Sequence, residues 1–579
     1  MTTKYYVTDT DLSSRFPLYT RANVGEVFPD PVTPLTSDSV LWFAELGWRD
    51  AWVRIGAFDL SEFPADEYAQ LGVMGGYCYL NASLIRLFGE RAPGLSWRDM
   101  DAQFFGAQPG IPEYVEQPGD ARPELGEVIG GTFGWAFAQQ GVDSLHGPTE
   151  HRQESKDLRA ARPDLAAMTP RQLWERFLQL IPAHRKMFAE HIFTTYMASL
   201  PVSVISGVAS SVGRPDLVMP LIAGFGDVDS AAPSTAMWEM GRLVAASESL
   251  TRVFDQGVDG LHDRLQTATD PDAIALRAAF DAFLVEFGSR GPNEWEMRSP
   301  TWETRPNLAL AAIDRMRMAP EGMNPAAQNA QRAEQRAAAA AELLAIVEGD
   351  PAVHGQLAAA IGCSPAWLPG RERTKTNNIR LIHEFRMSLR ELGRRMIEAG
   401  GFDEIEDFGF VRMNEYDELL ENPPALLDRI RERRVEYKKL QALDPSFVFV
   451  GSDPGPSTWA SRGSSDALQL KVGETVSGLV GCTGVVEGRA RVVLDSNDPS
   501  ALEPGDILIA PITDPSWTPL FVPAAGVVVD VGAPLSHAVI VSRELGIPCI
   551  VSVTNATRII RDGSMIRVDA NVGVITILS

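Results

Sequence analysis

Apolar residues recur at helical spacing over most of the first 450 positions. Leu173, Phe177, Leu180 and Ile181, for example, follow one another at the intervals of one buried helix face. Alternating apolar and polar positions are rare in the same region, and residues 76–80 form one short candidate strand. The pattern therefore predicts a mainly α-helical unit from residue 37 to about residue 443. Residues 1–40, rich in Pro, Thr and Asp, are predicted to be an extended opening segment or a strap on the core.

The C-terminal region has a different pattern. The β-branched run at 527–531 is bounded by glycines and is typical of a buried strand. After it, Ser536 is placed to cap a short helix that Gly546 ends, and Pro548 bars its continuation. His537 is then a first-turn residue, and the free N–H groups and positive dipole end of a helix start stabilise an anion there.

A histidine in that position has two interpretations. Neutral imidazole attacks phosphorus, and a phosphorylated ring nitrogen is a good leaving group, so His537 can relay a phosphoryl group. The alternative is a capping or core histidine, which is the commoner outcome for a single histidine at a helix start.

Between the two regions, residues 451–474 are rich in Gly, Ser and Pro, as in a flexible linker. A disordered connector has the same composition. The predicted layout is a mainly α acceptor-binding domain at 1–450, this linker, and a C-terminal α/β domain at 475–579. A chain of 579 residues is long enough for two or more domains.

Charge and cysteine content narrow the class of protein. The chain has 76 acidic and 52 basic residues, a net charge of -24, which argues against a nucleic-acid surface or an anionic membrane face. Its four cysteines are scattered, without a CxxC pair, and its N-terminus has no apolar signal core. The most apolar stretch, 196–225, is interrupted by prolines and charges, so we expect a buried helical segment. The predictions are a cytoplasmic protein that binds neither membrane nor nucleic acid.

Several short motifs occur in a fixed order in the C-terminal region. They are TDPSWTPLF at 513–521, LSHA at 535–538, RELGIPCIV at 543–551, DG at 562–563 and VDA at 568–570. This order resembles the phosphohistidine swivelling domain of the phosphoenolpyruvate-utilising enzymes. The resemblance covers about residues 475–579 and implies that His537 is the residue that becomes phosphorylated.

The loop at 288–296 has glycine and proline around charged and aromatic residues, a composition that suits a site. It resembles the Gly-His-Arg-Gly loop of the rifampin phosphotransferase acceptor domain, with Ser289 at the histidine position. That difference puts a general base at this position in question. Arg290 and Glu294 either bind acceptor or phosphate, or pair with each other to fasten the loop.

A helix predicted over 371–400 is basic at its start and apolar later, with Arg371, Lys375 and Arg386 on roughly one face. Its first part either lines a cavity for negative charge or is a solvated helix start. The resemblance favours the cavity, because the matching Arg and Lys of the rifampin enzyme lie at its transfer centre. Three further histidines in this domain are candidates for a general base by residue type alone, and a structural role is expected for each; they are His184, His191 and His383.

The resemblance completes the functional expectation. His537, Arg371 and Lys375 are predicted to be catalytic, and Arg290, Glu294 and Arg386 to bind the acceptor. No GxxxxGK[ST] loop or ATP-grasp-like region occurs, and nothing follows the swivelling domain. We therefore expect a separate ATP-grasp-type subunit to bind Mg-ATP, this chain to bind no metal or cofactor, and the reaction to release AMP and phosphate.

The layout is similar to that of the large subunit of phenylphosphate synthase-type enzymes, so the expected acceptor is a small phenol. A phenolic pKa of about 10 lets a nearby cation favour the phenolate. The alternatives are a larger hydroxylated natural product or antibiotic, and a non-catalytic phosphocarrier.

Overall fold

The computed structural model describes residues 4–105, 110–226, 228–453, 455–462, 469–494, 502–513, 517–532 and 536–579. Most of the N-terminal part is helical, as the apolar spacing predicts. The helices of eight or more residues there are Trp42–Ile55, Ala82–Arg91, Trp97–Phe104, Gly126–Phe137, His146–Ala160, Pro170–Ser211, Ala232–Ala246, Pro271–Phe287, Pro306–Met318, Pro325–Ile346, Pro351–Glu398 and Leu427–Gln441. The shorter α-helices there are Val24–Val27, Pro34–Thr36, Val218–Leu221, Glu248–Phe254, Leu261–Thr267 and Tyr416–Glu421.

Two long helices form the centre of this part and pack against each other along their length. The first long helix, Pro170–Ser211, begins with a capping box made by Thr169 and Gln172. The second long helix, Pro351–Glu398, begins where the Asp350 side chain accepts two backbone N–H groups. The prediction of a helix starting at 371 is therefore wrong at its N-terminus, because two internal prolines are accommodated without ending the helix.

The first long helix is also the one described helix that is long and apolar enough to span a membrane by length and composition. Its most apolar window is 67% buried inside the protein. Burial of that kind is shared by the core helices of proteins that contact no lipid.

A small antiparallel sheet joins distant parts of the N-terminal unit. Its strands are β1 (Leu18–Thr20), β2 (Leu71–Met74), β3 (Tyr77–Asn81) and β5 (Val448–Val450), in the order β2-β3-β1-β5, and a separate pair is formed by β4 (Leu443–Asp444) and β6 (Ala460–Ser461). Strand β3 confirms the candidate strand at 76–80. Because β1 pairs with both β3 and β5, the opening segment is part of the core sheet and not a loose strap.

The predicted linker at 451–474 is shorter than expected. Trp459 packs edge-on against Tyr77 at 5.7 Å between ring centroids, and Arg462 pairs with Asp30 at 2.7 Å, so residues 455–462 belong to the N-terminal unit. The backbone N–H of Leu470 donates to the carbonyl of Ile559 in the C-terminal unit, so residues 469–474 belong to that unit. Two parts of the predicted linker, residues 454 and 463–468, lie outside the described residues.

The C-terminal unit is built on one eight-stranded sheet. Its strands are β7 (Thr475–Ser477), β8 (Leu479–Cys482), β9 (Val485–Val492), β10 (Ile507–Ala510), β11 (Gly526–Val529), β12 (Cys549–Val551), β13 (Met565–Asp569) and β14 (Val574–Ile577). The order is β7-β14-β13-β9-β10-β11-β12-β8, with β9 to β12 parallel and the outer pairs antiparallel. Its helices are Thr518–Phe521, His537–Leu545 and Ala556–Ile559. Strand β11 confirms the strand predicted from the valine-rich run.

The two units share an apolar contact. One buried cluster contains Trp238 and Phe283 from the N-terminal helices together with Phe521 and Val541 from the C-terminal unit. The C-terminal unit is thus docked on the helical unit, and this docking brings the candidate site together.

Candidate functional site

The site begins at the N-terminus of the helix His537–Leu545, called the histidine helix below. Ser536 has the extended backbone of a cap residue, and Gly546 ends the helix at φ 76°, as the sequence predicts. The Ser536 hydroxyl makes no capping hydrogen bond and is buried without a partner among the described residues. Instead, the backbone N–H of His537 donates to the Glu26 carboxylate at 3.2 Å. A carboxylate from the N-terminal unit thus occupies the place where a helix start attracts an anion.

The His537 side chain is enclosed. It is 6% exposed, its Nδ1 lies 3.3 Å from Thr513 Oγ1, and Phe521 packs edge-on at 5.9 Å. Burial lowers the pKa of His537 well below its ordinary value, and Lys375, Arg290 and Arg371 lower it further. The ring is therefore neutral near pH 7, which is the nucleophilic form.

His537 opens into a cavity of about 130 Å³ between the two units. The predicted cations Arg371 and Lys375 line the same cavity. Its other polar or aromatic lining residues include Glu26, Trp48, Phe188, His191, Tyr196, Trp295, Glu372, Thr513 and Ser536. The structure thus brings all three predicted catalytic residues to one place, from two units.

Arg371 and Lys375 lie one turn apart on the second long helix. Arg371 pairs with the neighbouring Glu372 at 2.6 Å between Nη1 and Oε1. Burial lowers the pKa of Lys375, and the carboxylates of Glu294 and Glu372 oppose that shift. The cavity therefore holds two cations that are balanced by nearby carboxylates.

The loop at 288–296 packs next to the start of the cationic part of the second long helix. Arg290 pairs with Glu294 at 3.0 Å while both are buried, and Arg290 Nη1 donates to Thr376 Oγ1 at 2.9 Å. Gly291 lies so close to the Pro300 carbonyl that a Cβ would come within 2.4 Å of its oxygen. Of the two interpretations of Arg290 and Glu294, the pairing that fastens the loop is present, and Arg290 still acts electrostatically on His537.

Arg386 holds the loop and does not reach the cavity. Its guanidinium donates to the carbonyls of Met297 at 2.9 Å, Glu294 at 2.9 Å and Glu296 at 3.1 Å. It lies about 22 Å further along the helix than Arg371, because each residue adds about 1.5 Å. Arg386 does not line the cavity, and its role in binding the acceptor stays a prediction, because a helical wheel shows the face of a residue but not its distance along the axis.

Sequence reasoning missed two residues of the cavity. Glu26 lies in the opening segment, where no single residue was assigned a role, and His191 was a candidate general base for which a structural role was favoured. The only signal for His191 was its residue type. Among the described residues, no group of three or more His, Cys, Asp or Glu side chains is arranged to hold a metal ion.

The C-terminal unit places an enclosed histidine at a helix start, and the helical unit on which it docks supplies an Arg/Lys pair. Residues 502–573 match the family described as the PEP-utilising enzyme, mobile domain. Residues 191–372 match the family described as the rifampicin phosphotransferase fourth domain. The expected resemblance to the phosphoenolpyruvate-utilising enzymes is thereby confirmed.

Curated relatives agree with these matches. A rifampicin phosphotransferase of Streptomyces sviceus is 32% identical over 361 residues, 60% of this chain and 40% of that protein. Uncharacterized protein Rv2047c of Mycobacterium tuberculosis is 33% identical over 309 residues, 53% of this chain and 32% of that protein. Prodigiosin synthesizing transferase PigC of Serratia marcescens is 30% identical over 318 residues, 53% of this chain and 34% of that protein. The chain thus spans from 32% to 40% of the length of these relatives.

Proposed function

We propose that this chain is a phosphotransferase in which His537 carries a phosphoryl group and passes it to the hydroxyl of a small aromatic acceptor. The observation that carries the proposal is the shared cavity: the histidine of a mobile-domain match and the Arg371/Lys375 pair line the same 130 Å³ space. Because Thr513 engages Nδ1 of His537, the proposal places the phosphoryl group on Nε2.

The chemistry is a direct transfer. The acceptor oxygen forms a bond to phosphorus while the bond from phosphorus to His537 breaks. Arg371 and Lys375 stabilise the phosphoryl oxygens and hold the attacking oxygen in line with the bond that breaks, since such transfers depend chiefly on positioning and charge stabilisation.

The size and lining of the cavity favour a monocyclic phenol. A cavity of about 150 Å³ lined by apolar residues binds benzene, and the space here is about 130 Å³. Phe188, Tyr196 and Trp295 supply aromatic walls, and the two cations favour the phenolate. A second candidate acceptor is a larger hydroxylated natural product or antibiotic, which relatives named rifampicin phosphotransferase favour. A third candidate is a different function, that of a non-catalytic phosphocarrier, and it would give the cavity with Arg371 and Lys375 no role.

The source of the phosphoryl group is proposed to be Mg-ATP bound by a separate ATP-grasp-type polypeptide. That partner would phosphorylate His537 and release AMP and phosphate, with no cofactor bound by this chain and both proteins in the cytoplasm. Docking and undocking of the C-terminal unit would carry the phosphoryl group between the two sites.

The test is a transfer assay. The protein is charged on His537 with phosphoramidate, which phosphorylates histidine, and mixed with a panel of phenols and with rifampicin. Aryl phosphate formation supports the phenol proposal, and phosphorylated rifampicin supports the second candidate. Phosphate that stays on His537 with every acceptor supports the carrier. Undiminished transfer by His537→Ala under the same conditions contradicts the central assignment.

A further inference from the structure

His191 lies on the first long helix and lines the cavity. Its ring packs against Phe188 at 6.0 Å and Trp295 at 6.2 Å between centroids. It lines the same cavity as Arg371, Lys375 and His537. Both histidines thus line the space between these aromatic walls.

The hydrogen bonds of His191 determine its tautomer. Its Nδ1 lies 3.0 Å from Thr374 Oγ1, and the Thr374 hydroxyl donates its one proton to the Arg371 carbonyl at 2.9 Å. Thr374 Oγ1 must therefore accept from His191, so Nδ1 carries the ring proton. The lone pair of the neutral ring is then on Nε2.

The surroundings keep this ring neutral. Burial lowers the pKa of His191 well below its ordinary value, and Arg371, Lys375 and His184 lower it further. A neutral imidazole beside two cations is a proton acceptor that is not already protonated near pH 7.

The other groups of the cavity are less suited to take a proton. Arg371 and Lys375 are cations. The Glu372 carboxylate is already paired with Arg371 at 2.6 Å. Glu26 already accepts the backbone N–H of His537.

We propose that Nε2 of His191 is the general base that accepts the proton of the acceptor hydroxyl during transfer. This inference rests on the proposed function. The acceptor O–H bond breaks and its proton moves to His191, and the freed electron pair forms the bond to phosphorus. The bond between phosphorus and Nε2 of His537 breaks with its electron pair returning to a ring that carries a proton on Nδ1, so His537 leaves as neutral imidazole. The proton on His191 is released to water when the product leaves.

The test uses two acceptors that differ in their need for a base. Phenol must lose a proton during transfer, whereas 4-nitrophenol is already largely ionised at mildly alkaline pH. Single-turnover transfer from phosphoramidate-charged protein is measured for wild type, His191→Gln and the control His151→Gln, which changes another buried histidine outside the cavity. His191→Gln is expected to slow transfer to phenol by about 10²–10³-fold, the usual effect of a general base, and to change transfer to 4-nitrophenol much less.

Three results would overturn the inference. Equal slowing of both acceptors indicates a structural role, and unchanged transfer to phenol shows that His191 is not the base. If wild-type phosphorylated protein transfers to neither phenol, the proposed function fails first and this inference fails with it. A second measurement uses His191→Ala, in which added imidazole should restore the rate of transfer to phenol. This rescue tests the role of His191 independently of the Gln variant.

Discussion

Lys375→Met should disable the transfer step while leaving the protein folded. Methionine matches the lysine stem in length and is well tolerated in buried positions. The two carboxylates nearest to Lys375 keep their own arginine partners, Glu294 with Arg290 at 3.0 Å and Glu372 with Arg371 at 2.6 Å. Because burial already lowers the pKa of Lys375, the loss of its ammonium removes a desolvation cost along with the charge.

The size of the effect follows from the position of the charge. Lys375 is the foremost charged group among those that lower the pKa of His537, so it acts at the transferring atom. A unit charge within a few ångströms contributes about 3 kcal/mol at an effective dielectric constant of about 20. This amounts to about 10²-fold in rate, which agrees with the usual cost of removing one group that stabilises a transition state.

The assay compares the two half-reactions. Phosphoramidate-charged Lys375→Met should transfer to phenol about 10²-fold more slowly than wild type in a rapid-quench experiment, with an unchanged rate of charging. The matched control is Lys186→Met, which removes an exposed lysine of the first long helix and should transfer normally. Equal transfer by Lys375→Met and wild type, with both proteins folded, would refute the electrostatic argument.

Three further predictions concern docking and stability. Burial raises the pKa of Glu544 from 4.5 to about 7. The protonated Glu544 side chain therefore favours docking fully below pH 4.5, and this contribution is lost as the pH rises through 7. A FRET titration of docking should show this loss in wild type but not in Glu544→Gln, and the titration of His537 is common to both proteins. Identical titration curves for the two proteins would contradict the prediction. Arg386→Met should lower the free energy of unfolding by about 2–5 kcal/mol in urea titrations without changing the KM of the acceptor, whereas a raised KM at full stability would restore Arg386 as a binding residue. Trp459→Ala removes the contact with Tyr77 and should expose residues 455–462 to limited proteolysis, and a cleavage rate equal to that of wild type would contradict the packing.

The sequence alone determined what short-range patterns control. The valine-rich run predicted strand β11, and Ser536 and Gly546 predicted both ends of the histidine helix, because caps and β-branched runs act over a few residues. The four-residue spacing of Arg371 and Lys375 placed them on one helix face for the same reason. The motif order around His537 indicated the phosphohistidine family before any geometry was known.

Tertiary structure decided which residues meet, because long-range contacts depend on packing and not on local spacing. The second long helix begins at Pro351 despite two later prolines, since its contacts with the first long helix outweigh their local cost. Trp459 and its neighbours left the predicted linker because Tyr77, nearly 400 positions away, covers that ring. In the same way, Arg386 lies too far along its helix to line the cavity. Finally, Glu26 and His191 join the cavity only because the docked units bring them to His537.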